Sequence, residues 1–179
     1  MKPENLYTAH CSSAKMVFPD AESCKNFLAA FNTELSGLLA LYAFALLPSQ
    51  TILLFRTTGE TDWETYLRAQ QLIKKDYKVF DEAGGMLLMS TLVKNKIAAF
   101  IRSYFPGGSI TIAEVMQEDL PHALANTHLL PVKRGLCPAP SDWTFSSYNA
   151  YLSDKPTRLP REEVLELVDG TAAFVELHR

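Results

Sequence analysis

The residues that most often carry metal or nucleophilic chemistry are few in this chain. Its histidines and cysteines are His10, His122, His128, His178, Cys11, Cys24 and Cys137. His122 and His128 are six residues apart, whereas two ligands on one helix face need a spacing of three or four. His10 and Cys11 are adjacent, so on a strand their side chains point to opposite faces. The cysteines lack C-x-x-C spacing, which argues against a zinc site or a disulfide framework.

Phosphate binding is a second chemistry that the sequence can supply. Lys133 and Arg134 stand side by side in the run Pro-Val-Lys-Arg-Gly, and they are the best candidates for contacts with a nucleic-acid backbone. A mildly basic segment, residues 74–104, contributes further cationic side chains, which are Lys74, Lys75, Lys78, Lys94, Lys96 and Arg102. An ordinary solvated helix face would have the same composition, so the pattern leaves both interpretations open.

Hydrophobic periodicity predicts the elements that must position these side chains. Asp20 is predicted to cap a first helix that ends near Gly37. In chain order the predicted elements are a strand at 6–9, this helix, strands at 41–47 and 51–55, a helix from 61 that ends at Gly84-Gly85, a helix at 86–104, a strand at 109–115, a helix from Glu118 that ends near Leu130-Pro131, and short helices at 161–168 and from 171. The order predicts an α+β fold, a ferredoxin-like (RRM-like) antiparallel sheet with helices packed on it.

Residues 126–152 carry two motifs in order. The first is Asn-Thr-His-Leu-Leu-Pro-Val-Lys-Arg-Gly-Leu, and the second is Asp-Trp-Thr-Phe-Ser-Ser-Tyr-Asn-Ala-Tyr-Leu. They resemble the C-terminal signature of the REP-associated tyrosine transposases, relatives of the IS200-like transposases. That signature typically reads Tyr-Ile-His-Leu-Asn-Pro-Val-Arg-Ala-Gly-Leu, followed by Trp-x-x-Ser-Ser-Tyr-x-Ala-Tyr-Leu. The resemblance is close over residues 117–152, loose over residues 5–58 and weak over residues 60–116.

The resemblance locates the positions at which that family keeps its reactive residues. Such transposases cut single-stranded DNA with a tyrosine hydroxyl that attacks a backbone phosphate, assisted by Mg²⁺ or Mn²⁺ on a His-x-His pair. The matching run here is Leu-Pro-Ser-Gln-Thr-Ile-Leu-Leu-Phe, so Gln50 and Ile52 stand in place of the two histidines. Asn126 stands in place of the tyrosine. An arginine that the family often has after a Tyr-His start is also missing after Tyr7.

The resemblance therefore implies a transposase-derived protein that keeps the fold and has lost the cutting chemistry. We expect no catalytic residue, no metal site and no cofactor, although the family would use Mg²⁺ or Mn²⁺. Single-stranded or hairpin DNA is the implied partner, contacted by Lys133, Arg134 and the lysines of the basic segment. His128 matches a histidine of the family's motif, and we expect a structural role for it. An active transposase with relocated residues, such as Tyr148 or Tyr151 as nucleophile, is a less favoured alternative.

Length and composition complete the expectations. A chain of 179 residues with 47% hydrophobic content predicts one domain, with a core at about 5–137 and a tail at 138–179. No apolar run approaches the ~20 residues of a membrane span, and no secretory signal is visible, so we expect a cytoplasmic protein. The net charge of −3 and an acidic segment at 161–179 weaken the case for DNA. A protein-interaction or structural module that has lost DNA binding is therefore the alternative hypothesis.

Overall fold

A computed structural model describes residues 6–57 and 82–179, so the helix predicted from residue 61 lies outside the described residues. The strands are Leu6–Ser12 (β1), Leu39–Leu47 (β2), Gln50–Thr57 (β3) and Ser109–Val115 (β4). The α-helices are Ala21–Leu35 (α1), Glu82–Tyr104 (α2), Leu120–Lys133 (α3), Tyr148–Tyr151 (α4), Arg161–Leu167 (α5) and Thr171–Glu176 (α6). Within the two described ranges, every helix is too short or too polar to span a bilayer.

The strands form one sheet in the order β2-β3-β1-β4, and every neighbouring pair is antiparallel. Since α1 joins β1 to β2 and α2 precedes β4, the arrangement is the β-α-β-β-α-β pattern of ferredoxin-like folds. The predicted fold class is therefore confirmed. The first strand is longer than predicted, because its pairing with both neighbours continues past Ala9 to Ser12.

One face of the sheet carries an aromatic core under α1 and α2. Side chains alternate along β1, so Tyr7, Ala9 and Cys11 all point to this face, where they are buried. Phe27 of α1 and Phe100 of α2 pack above them with ring centroids 5.4 Å apart. The two helices therefore occupy one side of the sheet together.

The start of α1 follows the sequence signal. Asp20 accepts a hydrogen bond from the backbone N–H of Ser23 at 2.8 Å, and the Ser23 hydroxyl faces the Asp20 backbone in return. This reciprocal capping box satisfies donors that the first turn of a helix leaves unpaired. Buried residues then recur at helical spacing at Cys24, Phe27 and Phe31, which turns one stripe of the helix toward the core.

The other face of the sheet is covered in part by α3 and the tail. Leu54 of β3, Leu124 of α3, Val164 of α5 and Phe174 of α6 belong to one buried cluster. α3 packs on β2 and β3, which form one half of the sheet. The outward side chains of β1 and β4 consequently include exposed residues, among them His10.

Two predicted helix ends are wrong. Gly84 and Gly85 lie inside α2, where each costs the helix about 1 kcal/mol relative to alanine without breaking it. α3 continues through Pro131, because that proline lies in the last turn and removes a single backbone donor there. The helix ends at Lys133, and Gly135 follows the cap residue Arg134 with a φ of +69°, the left-handed conformation favoured just after a helix.

Candidate nucleic-acid interface

A cleft opens where α3 passes over the partly exposed sheet face. Its volume is about 380 Å³. Residues of three strands, of the turn before α3 and of the first half of α3 line it, namely Thr8, Ile52, Glu114, Val115, Asp119, His122, Ala123 and Asn126. Ile52 and Asn126, which are 74 positions apart in the sequence, are therefore brought together in one cleft.

Gln50 and Ile52 lie on the same face of β3, because side chains two residues apart on a strand point the same way. The alternate residues of β3 point to the other face of the sheet, where Leu53 and Phe55 are buried in the aromatic core. The geometry would suit a His-x-His pair, but the donor set does not fit a divalent metal ion: Ile52 has no ligand atom and Gln50 offers one amide oxygen. No group of three or more His, Cys, Asp or Glu side chains could hold a metal ion in the described part of the chain.

The Gln50 side chain has a further property. Its Oε1 atom is buried and accepts no hydrogen bond from any described residue. An unpaired buried acceptor lowers stability by about 1–3 kcal/mol, so native proteins rarely keep one. Gln50 is therefore not a typical metal ligand, and its unpaired side-chain oxygen does not stabilise the fold.

Asn126 is joined to Lys133 across two turns of α3. Lys133 Nζ donates a hydrogen bond to Asn126 Oδ1 at 2.6 Å. A spacing of seven residues places both side chains on one side of the helix. An amide has no hydroxyl that could attack a phosphate, and here its oxygen is already engaged. The bond positions an ammonium group beside the cleft, and that group has three N–H donors, of which this contact uses one.

Arg134 and His10 extend this positive region. Arg134 follows α3 directly and is exposed, as is Lys133. His10 is exposed on β1, opposite Ile52 in the sheet register. Partial burial lowers the pKa of His10, and the positive charge of Arg134 lowers it further. His10, Lys133 and Arg134 are named here the cationic corner.

The cleft is electrically asymmetric. Asp119 lines it just before the start of α3, together with the exposed His122, whereas Glu114 pairs with Tyr7 and its side chain points to the opposite face of the sheet. The cationic corner lies instead at the end of the same helix, where Lys133 is the last residue. An anion would therefore be attracted to the end of α3 and repelled from its start.

The predicted basic residues do not form one surface. Lys94 and Lys96 lie on α2, which packs on the opposite face of the sheet from α3. The Lys94 ammonium sits 4.7 Å from the centroid of the Tyr7 ring, a cation–π contact on that opposite face. Lys74, Lys75 and Lys78 lie outside the described residues. Among the predicted DNA-contacting residues that are described, Lys133 bonds to a residue that lines the cleft, and Arg134 directly follows Lys133.

His128 is fully buried and structural, as expected from the sequence. Its Nδ1 lies 2.9 Å from His178 Nε2, and its Nε2 lies 2.7 Å from the Ser147 hydroxyl. His178 Nδ1 in turn donates to the Phe174 carbonyl at 2.6 Å. Burial, and then the charge of His178, hold the pKa of His128 well below its ordinary value. Sequence reasoning missed His178, since its partner is 50 residues away and no local spacing signals the contact.

The aromatic residues of the second motif anchor the tail to β2. The Trp143 indole N–H donates to the Leu46 carbonyl at 2.9 Å, and the Tyr151 hydroxyl donates to the Tyr42 carbonyl. Tyr148 and Tyr151 are both buried. Burial raises the pKa of the Tyr151 hydroxyl, which disfavours its nucleophilic phenolate form. These two tyrosines therefore do not fit the role of relocated nucleophiles.

Comparison with known proteins gives one informative similarity. A solved structure of a REP-associated tyrosine transposase bound to a REP hairpin is similar to this chain with a TM-score of 0.50 and 11% sequence identity. The superposition covers 87% of this chain and 84% of that chain. No family model and no curated protein matches the sequence. At so low an identity the similarity shows the fold, and the chain has a transposase-like fold.

Proposed function

We propose that this protein binds single-stranded or hairpin DNA through the cationic corner and does not cleave it. The observation that carries the proposal is the cleft itself. Ile52 and Asn126 meet there at positions where the resemblance places a metal ligand and a nucleophile, and Lys133 bonds directly to Asn126. The site thus pairs unreactive side chains with a positive charge.

The DNA-binding part of the proposal is supported by fold and charge together. The similar transposase is bound to a REP hairpin, and hairpin DNA is accordingly the first ligand to test. Lys133 and Arg134 are exposed, adjacent and beside the cleft, so both can reach phosphate oxygens. Because they act through charge, their contribution must fall as salt rises.

The proposed absence of cleavage rests on the donor set. Phosphoryl transfer of this kind needs a nucleophilic hydroxyl and a metal ion that polarises the phosphate. Asn126 offers an amide in the first role, and Gln50 with Ile52 offers one weak ligand in the second. Incubation of the protein with labelled hairpins and Mg²⁺ or Mn²⁺ should give neither nicked strands nor a covalent protein–DNA adduct. Either product, seen by denaturing gel electrophoresis, would contradict this part.

Binding is tested by fluorescence anisotropy with labelled hairpins, without metal, at salt concentrations from about 50 to about 200 mM. The double variant K133A/R134A should bind more weakly, and the slope of log K against log salt should fall by about 1.4 to 1.8 for two lost phosphate contacts. The matched control is K25A/R102A, which also removes one lysine and one arginine. Both of its sites are exposed on α1 and α2, on the opposite sheet face, so its affinity should stay close to that of the wild type.

A protein-interaction module is the second candidate, and one feature of the structure favours it. A groove of about 870 Å³ lies between α1, β2 and the tail residues 157–160. Its apolar lining includes Leu28, Phe31 and Phe44. If the protein binds no hairpin even at the lowest salt, hairpin DNA is excluded as its ligand, and this groove becomes the feature to study. Salt-sensitive hairpin binding that is lost in K133A/R134A would support DNA as the ligand.

A further inference from the structure

We propose that His10 is the third phosphate-contacting residue of the cationic corner. Its protonated imidazole contacts the DNA strand, so that DNA binding takes up a proton. This inference rests on the proposed function and assigns to it a residue and a dependence on pH. It names a contact that the basic residues of the sequence do not suggest, because a lone histidine on a strand carries no motif.

The position of His10 follows from the sheet register. His10 lies between Ile52 of β3 and Thr111 of β4 in one row of the sheet. This row is on the face toward α3, because the neighbouring Ala9 and Cys11 point into the aromatic core. Ile52 lines the cleft with Asn126, whose partner is Lys133. A DNA strand that contacts Lys133 beside the cleft is therefore within reach of the exposed His10 imidazole.

The described elements around His10 place both uncharged and charged side chains near it. β3 and β4 contribute the uncharged Ile52 and Thr111 as its direct neighbours. Arg134, which directly follows α3, contributes a positive charge that acts on His10. The acidic side chain of the cleft, Asp119, lies just before the start of α3 together with His122. Glu114 of β4 pairs with Tyr7, so its side chain points to the opposite face of the sheet.

Without a ligand, the corner disfavours a charged imidazole. Partial burial lowers the pKa of His10 first, and Arg134 lowers it further, so the side chain is neutral at neutral pH. A bound phosphate brings negative charge to the same place and reverses this balance, because an anion near a histidine favours the protonated form. The pKa of His10 therefore rises on binding. By linkage, affinity must increase as the pH falls through the interval between the free and bound pKa, by at most about tenfold per pH unit.

The test is hairpin binding by anisotropy at about pH 8, 7 and 6, at fixed ionic strength, using strands without terminal phosphates so that only the protein titrates. The wild-type affinity should rise several-fold across this range. H10Q keeps a polar side chain that does not titrate, and it should bind with little pH dependence. K25Q is the control, since Lys25 is exposed on α1, on the opposite face of the sheet, and it should keep the wild-type profile. Circular dichroism at each pH checks that all three proteins remain folded.

An independent readout is the number of protons taken up, from calorimetry in two buffers with different ionisation enthalpies. Wild type should take up a fraction of a proton on binding near pH 7, and H10Q less. Binding whose pH dependence survives in H10Q, or vanishes equally in K25Q, would overturn the assignment while leaving the proposed function intact. Inorganic phosphate that binds as tightly as the hairpin would assign the corner to a free anion and overturn the contact with a strand. No binding at any pH would overturn the proposed function, and this inference with it.

Discussion

Mild acid is expected to destabilise this protein through His128. The buried chain of hydrogen bonds fixes where the protons sit: His178 donates through Nδ1 to the Phe174 carbonyl, so its Nε2 is an acceptor. His128 must then donate through Nδ1 to His178 and accept through Nε2 from the Ser147 hydroxyl. Both imidazoles are neutral in this arrangement. A further proton on His128 would turn the Ser147 hydroxyl from His128 toward the Phe44 carbonyl and would place a charge in a fully buried site.

The magnitude follows from proton linkage. An unfolded histidine takes up a proton near pH 6.5, whereas burial keeps the pKa of folded His128 well below that value. Between the two pKa values the unfolded state binds more protons, so stability rises with pH and is lost as the pH falls below about 6.5. Each pH unit in this window lowers the free energy of unfolding by about 1.4 kcal/mol for as long as folded His128 stays neutral. The pKa of His178 is also lowered, mainly by burial, which adds to the loss in the same direction.

Urea denaturation between about pH 7.5 and about pH 5.5 measures this loss, in a range where carboxylates scarcely titrate. H128L should be less stable at pH 7.5, by about 2–5 kcal/mol, because Ser147 and His178 lose a buried partner. Its stability should nevertheless change much less with pH than that of the wild type. H122Q, altered at an exposed histidine, should keep the wild-type slope.

A wild-type slope in H128L would refute the assignment of the pH dependence to His128. If H128L does not fold, H178Q is the second variant, since it removes one of the two titrating rings and keeps a polar side chain. An unchanged slope in H178Q, combined with equal stability of the wild type at pH 7.5 and 5.5, would likewise show that the buried histidines do not control acid stability.

Two further predictions concern packing and the tail. Gly108→Ala would place a Cβ atom 2.5 Å from the Ser12 carbonyl oxygen, so it should lower the free energy of unfolding by about 1–3 kcal/mol; Gly37→Ala, whose Cβ would meet nothing within 4 Å, is the control and should leave the urea midpoint nearly unchanged. Trp143→Phe keeps an aromatic ring but removes the donor to the Leu46 carbonyl, and thermal unfolding should show a loss of about 1 kcal/mol. Equal stability of Gly108→Ala and Gly37→Ala, or an unchanged melting temperature for Trp143→Phe, would contradict these contacts.

The sequence predicted the fold well where the signal is local. Short apolar runs marked β2 and β3, alternation marked β4, and the Asp20 cap marked the start of α1. Helix ends were harder, because a glycine pair inside α2 and a proline inside α3 are tolerated when the surrounding helix packs on the sheet. The low helix propensity of one or two residues lowers the stability of a helix by about 1–3 kcal/mol, and tertiary contacts can outweigh this loss.

The candidate site was predictable only in part. Lys133 and Asn126 are seven residues apart on one helix, so a helical projection of the sequence could have found their contact. The basic lysines of α2 could not be assigned to a face, since α2 covers one side of the sheet and α3 the other. His10 was set aside as a ligand or catalytic residue because its side chain and that of the adjacent Cys11 point to opposite faces of a strand, and the sheet register is what brings it opposite Ile52.

The contact of the tail with β2 has a consequence for how the chain acquires its fold. β2 is an edge strand, and its outward backbone groups at Tyr42, Phe44 and Leu46 are engaged by residues near 145–151. About a hundred residues separate the partners, so a growing chain makes this strand long before it makes its cover. Until then Leu-Ala-Leu-Tyr-Ala-Phe-Ala-Leu-Leu has an open, uncharged edge of the kind that pairs with other chains. Shortening the protein before residue 143 would therefore yield an aggregation-prone intermediate and not a smaller stable domain.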